Sequence, residues 1–85
     1  MPHKIEIKPS AQKELGKIPK NFAVKIIKKI KTLAEDPHPN GCKKLTGVES
    51  AYRVRIGEYR AVYSIYDQQL IVQVVKIGHR KSIYN

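Results

Sequence analysis

Residues 51 to 66 constrain the fold more than any other stretch of the chain. Ala51–Ile56 and Tyr59–Tyr66 are rich in Val, Ile and Tyr, with arginines interleaved, and are separated by Gly57-Glu58. A period of two marks a strand with one buried face. A two-residue break that opens on glycine suits a type II′ hairpin turn. Turn length then sets the register: Ile56 opposes Tyr59, Arg55 opposes Arg60, Val54 opposes Ala61, Arg53 opposes Val62 and Tyr52 opposes Tyr63. Tyr52, Val54, Ile56, Tyr59, Ala61, Tyr63 and Ile65 share one face, which is apolar. Arg53, Arg55 and Arg60 share the other.

The rest of the chain supplies what such a hairpin needs to bury its apolar side. Asp67-Gln68 closes the second strand, and Leu70–Ile77 reads as a third, rich in Val and Ile. At the other end, His3 to Lys8 alternates, with Ile5 and Ile7 opposite Lys4, Glu6 and Lys8, as in a short half-exposed strand. Pro9-Ser10 ends that strand, and Ser10 is placed to cap a helix from Ala11, whose apolar positions are Ala11, Leu15 and Ile18. Pro19 interrupts, so a second helix begins near 19–21. Its Ala23, Ile26, Ile27, Ile30, Leu33 and Ala34 form a 3.6-residue stripe flanked by Lys25, Lys28, Lys29 and Lys31. Asp36-Pro37-His38-Pro39-Asn40-Gly41 stops it, and Lys43 to Gly47 follows as a basic loop. The expected order is β-α-α-β-β-β: an α+β fold, with an antiparallel sheet and an N-terminal helical hairpin packed on one face. At 85 residues, the chain has room for a single domain, 1–85.

Charge narrows the range of partners. Seventeen Lys and Arg against seven Asp and Glu give a net +10, more than the magnitude of roughly 2–8 that keeps a small domain soluble. A polyanion is the expected partner: RNA, DNA, a ribosome or an acidic protein. No segment approaches the ~18 apolar residues of a membrane span, and neither end reads as a signal peptide. The single cysteine, Cys42, excludes an internal disulfide and a cysteine-based zinc site. These features fit a cytoplasmic protein, with no metal or cofactor expected.

Arg55 opposite Arg60 is the unusual element. Like charges directly across a sheet destabilise it, and the pairing is useful only if an anion fits between them. Arginine grips phosphate bidentately and keeps its charge when partly desolvated. The alternative is a solvated basic face whose stems pack on apolar neighbours. After the third strand come Gly78, His79, Arg80 and Lys81, with Tyr84 as the penultimate residue. Such a tyrosine could plug the core, stack on a base or move a proton. His3 and His38 have no partner at a useful spacing, and Glu49, Glu58 and Asp67 are given no role.

The element order, the Lys44-Leu45-Thr46-Gly47 loop, the hairpin from Tyr52 to Tyr63 and the ending Ile77-Gly78-His79-Arg80…Tyr84 together resemble the RelE/ParE toxin superfamily, and within it the RelE ribonucleases. That resemblance covers nearly the whole chain. It implies the toxin of a type II toxin–antitoxin pair, an mRNA endoribonuclease acting in the ribosomal A site. It also implies a cognate RelB-like antitoxin that masks the site in a heterodimer or heterotetramer. The family's functional positions carry over to Arg53, Arg55, Arg60, Arg80 and Tyr84. The first two are lysines in well-known members; arginine keeps the charge but is a poor proton donor, so the general acid stays open.

The implied reaction is attack by the RNA 2′-hydroxyl on the adjacent phosphate, which needs no metal. Arg55, Arg60 and Arg80 would stabilise the phosphorane. Tyr84 is a candidate base, its phenolate favoured by nearby guanidinium groups. His79 titrates near neutrality and is a candidate acid or base, or simply caps the strand end. Lys25, Lys28, Lys29, Lys43, Lys44 and Lys81 would hold ribosomal RNA by phosphate contact, or be ordinary solvated lysines. Two rival readings remain: a ParE-type poison of DNA gyrase, and a non-catalytic nucleic-acid-binding module or inactive relative that only binds its antitoxin.

Overall fold

The computed structural model describes residues 2–45 and 51–79. Strand β1 (Lys4–Ile7) leads into helix α1 (Pro9–Lys17) and helix α2 (Lys20–Thr32). Strands β2 (Lys43–Lys44), β3 (Ala51–Ile56), β4 (Tyr59–Tyr66) and β5 (Ile71–His79) follow. They form one five-stranded sheet in the order β1-β5-β4-β3-β2. The β3–β4 hairpin has the register that its two-residue loop dictates, with Arg55 opposite Arg60 and Ile56 opposite Tyr59. Gly57 adopts φ +61°, a conformation that needs glycine.

The sheet is mixed, which corrects the all-antiparallel expectation. β1 runs parallel to β5, pairing Ile5 with Val72 and Ile7 with Val74. The two helices carry the chain away from β1, whose Ile5 and Ile7 then pack with the core below them. Lys43 and Lys44, expected in a loop, form a two-residue strand opposite Arg53 and Tyr52. Helix α1 starts at Pro9 with Lys8 as its cap residue, not at Ala11 with Ser10 as its cap. Proline is at ease at a first helical position, where its missing N–H would have no partner anyway.

One face of the sheet carries the core. Ala11, Ile26, Ile30 and Leu33 from the helical side meet Val54, Ala61, Tyr63, Ile65, Val72, Val74 and Ile77 from the strands. Ile27, although part of the helical stripe, stays exposed together with Phe22 and Val24. Strand β5 keeps its apolar residues inward only by a β-bulge between its two halves. Val62 opposes Lys76 whereas Tyr63 opposes Val74, so Val75 is the extra residue. The bulge lets Val72, Val74 and Ile77 all face the helices, a spacing that regular alternation forbids.

Tyr63 ties the helix-following loop to this core. Its hydroxyl donates to the Pro37 carbonyl at 2.7 Å, and its ring stacks on Tyr52. The edge of His38 meets Tyr52 in turn, at 4.9 Å between ring centroids. Burial, then the neighbouring Cys42, Tyr52 and Asp36, holds the Tyr63 phenol well above its ordinary value near 10. The native state therefore keeps a proton that the unfolded chain releases above about pH 10. This contribution to stability is complete below that pH and declines as pH rises beyond it. Tyr63→Phe should cost about 1–3 kcal/mol in urea denaturation at neutral pH, because a buried carbonyl loses its donor. The same variant should show a shallower loss of stability above pH 10 than the wild type.

Candidate phosphate-binding site

The described arginines gather on the face away from the helices. Arg53, Arg55 and Arg60 project there from β3 and β4, as alternation requires. Lys43 joins them because it sits directly opposite Arg53. Gly41 makes this possible by turning the chain at φ +89° two residues earlier. Gly41, Lys43, Arg53, Arg55 and Arg60 line a depression of ≈ 270 Å³.

Arg60 is the centre of this arrangement. It is 6% exposed and is the buried charged residue among those described. Its Nη1 donates to the carbonyls of Gly57, at 3.2 Å, and Tyr59, at 3.0 Å. Among the described residues the ion pairs are His3–Asp67 and Lys17–Glu14, so no carboxylate neutralises Arg60 or Arg55. Burying a charge costs several kcal/mol even after relaxation, and a guanidinium does not escape by losing its proton. The two carbonyls fix its orientation, and among the described residues no carboxylate compensates its charge. A fixed, largely desolvated cation beside a second one is a candidate anion site.

Comparison with known proteins identifies the family and the fold. Residues 5–84 match the family model described as ParE toxin of type II toxin-antitoxin system, parDE. A candidate RelE-like toxin protein of Escherichia coli is 32% identical over 89 residues, covering 100% of this chain and 93% of that protein. The chain belongs to the RelE/ParE toxin superfamily. A candidate toxin RelE1 of Methanocaldococcus jannaschii is also 32% identical, over 99% of this chain and 97% of its own length. The RelE–RelB complex of the archaeon Pyrococcus horikoshii OT3 contains a chain that superposes with a TM-score of 0.83 at 26% identity. That match covers 94% of this chain and 97% of the other.

The fold divides the residues expected from the sequence to work together. Arg53, Arg55, Arg60 and Lys43 share the depression. His79 does not join them: it pairs with Tyr59 across the ladder, and its ring meets Tyr59 edge-on at 5.7 Å, on the helix side. The bulge is the reason, since one extra residue reverses every later side chain. Lys25, Lys28 and Lys29 belong to α2, on the opposite side of the sheet from the arginines. Lys25 lines an apolar groove with Phe22, Ile56 and Tyr59 there. Lys44 pairs with Tyr52 and so turns to the helix side. Arg80, Lys81 and Tyr84 lie outside the described residues.

Two participants escaped the sequence analysis. Lys76 opposes Val62 and so lies on the arginine face, whereas unbroken alternation from Val72 and Val74 would turn it inward. Gly78 opposes Arg60, and among the described residues a Cβ added there would meet nothing within 4 Å. The signal available for both was Val74-Val75, two apolar residues in succession in the middle of the strand.

If the cross-strand pair exists for an anion, it should cost stability in the anion's absence. Arg55→Thr should stabilise the free protein by about 0.2–1 kcal/mol at low ionic strength. The gain should shrink as salt screens the repulsion. Urea denaturation at two salt concentrations measures both effects.

Proposed function

We propose that this protein is the toxin of a type II toxin–antitoxin pair and that it cleaves mRNA on the ribosome. The observation that carries this reading is the buried Arg60, uncompensated by any described carboxylate and directly opposite Arg55. In the proposed reaction the ribose 2′-oxygen attacks the adjacent phosphorus and its proton passes to a base. The 5′-oxygen leaves with a proton from an acid, and the products are a 2′,3′-cyclic phosphate and a 5′-hydroxyl. Arg55 and Arg60, with Arg53 at the pocket wall, hold the charge that accumulates on the phosphorane oxygens. Their arrangement suits that step and leaves proton transfer to other groups.

Arg80 and Tyr84 occupy the family's positions for a further arginine and a tyrosine. The reading assigns Arg80 to the phosphate and Tyr84 to proton abstraction, with guanidinium groups favouring its phenolate. His79, turned towards Tyr59, is left out of the chemistry. Lys25, Lys28 and Lys81 are assigned to ribosomal RNA. A chain that stabilises charge better than it moves protons gains most from a substrate already held in reactive geometry, which a ribosome provides.

The antitoxin is the second partner. The Pyrococcus horikoshii neighbour is bound to RelB, and exposed Phe22, Val24 and Ile27 on α2 offer this chain an apolar surface for an amphipathic segment. Among the described residues no helix is long and apolar enough to cross a membrane, and the reading assigns the toxin to the cytoplasm.

The ParE description of the matching family model favours a second reading, a gyrase poison. Induction in a translating extract, followed by primer extension on the mRNA, separates the two. Ribosome-dependent cuts are expected. Arg60→Ala should slow them by about 10²–10³-fold, and Tyr84→Phe should also slow them, with thermal unfolding showing both variants folded. Intact mRNA with trapped, cleaved DNA would replace the ribonuclease reading with the gyrase one.

A further inference from the structure

The bulge on β5 does more than rescue the core. It delivers Lys76 to the arginine face, opposite Val62, which itself lies opposite Arg53, which lies opposite Lys43. Four strands thus build one row across the sheet: Lys43, Arg53, Val62, Lys76. The neighbouring row is Arg55, Arg60, Gly78. In the next row on the other side, Ala51, Ser64 and Gln73 carry no charge, and Glu6 sits at the far edge. The cations therefore fill two consecutive rows, the next row carries Glu6 in place of a cation, and Lys4 stands one row further on, opposite Ile71.

The rows are two residues apart along the strands, ~6.6–6.8 Å. That is on the scale of one nucleotide of extended backbone. Both rows leave space over the sheet surface: the first at Gly78, where there is no side chain, and the second over half-buried Val62. Lys43 and Lys76 are exposed and take part in neither of the ion pairs found among the described residues. Bulges are commonly found beside functional sites, where they re-aim a side chain, and here Lys76 is the side chain re-aimed.

We propose that the two rows bind two successive phosphates of a single RNA strand. The Arg55–Arg60 row takes the scissile phosphate and the Lys43–Arg53–Lys76 row takes its neighbour. The proposal rests on the ribonuclease reading for the name of the first phosphate, but the pairing of rows is a binding property that can be measured without cleavage. Lys43 and Lys76 are then positioning residues. They set the direction and register of the strand over Arg60 and take no part in bond making.

The test uses the free protein and short oligonucleotides with 2′-deoxyribose throughout, so that none is cleaved. A dinucleotide offers one internal phosphate and a trinucleotide two. Fluorescence anisotropy at several salt concentrations should show tighter binding of the trinucleotide, with a salt slope steeper by ~0.7 for the added phosphate. In the Lys43→Gln, Lys76→Gln double variant the trinucleotide should lose that advantage and bind like the dinucleotide. Lys43→Arg with Lys76→Arg should keep it. Lys13→Gln with Lys20→Gln, which removes the same charge from the helices, should leave it intact. Arg60→Ala should weaken both ligands. The proposal is overturned if the Gln double variant keeps the trinucleotide advantage, or if the helix control loses it equally. Neither result touches the ribonuclease reading, which stands or falls on mRNA cleavage by the wild type.

Discussion

Two guanidinium groups face each other across an antiparallel ladder, and the fold provides no acid among the described residues to separate them. Register is what holds them there. A two-residue loop at Gly57-Glu58 fixes Arg55 against Arg60, and the buried face beneath fixes the loop, because a slip by one residue would turn Val54, Ala61 and Tyr63 out into water. The repulsion between the arginines is therefore opposed by the whole core, together with the two carbonyls that hold Arg60. Pre-organisation of this kind keeps the charge in place before an anion arrives, so little reorganisation accompanies binding.

The two faces of the sheet accordingly have separate tasks. The helix side is apolar, closed by Ile26, Ile30 and Leu33, and pinned at its margin by the Tyr63 hydroxyl on Pro37. The other side concentrates positive charge within two rows. The surplus of +10 is not all in one place: Lys25 and Lys28 on α2 are exposed on the helix side, away from the arginines. Their charge contributes to long-range attraction of a polyanion, whereas the arginine face supplies geometry. In the proposed function, attraction and recognition are thus carried by opposite sides of a small molecule.

Much of this was legible in the sequence, for reasons that differ by element. The hairpin register followed from loop length and alternation, and the helical stripe from a 3.6-residue period, because both are local patterns. The parallel pairing of β1 with β5 was not legible, since it joins residues some 67 positions apart (Lys4 and Ile71) and alternation is the same in either direction. The brief β2 strand was too short to have a pattern. The bulge was the costly omission: regular alternation puts Lys76 inside and keeps His79 with the arginines, and one extra residue at Val75 reverses both. Val74-Val75 was a weak trace of it, because Ile71-Val72 on the same strand is an equal apolar pair with no bulge.

The central claim is that Arg60 and Arg55 together grip a phosphate. Nitrogen-15 NMR of the arginine side chains, during titration of the free protein with an uncleavable RNA oligonucleotide, tests it most directly. The account predicts that the Nε–Hε signals of Arg55 and Arg60 shift first and saturate together, before signals from α2 respond. Saturable binding that moves α2 and leaves both arginine signals in place would contradict it.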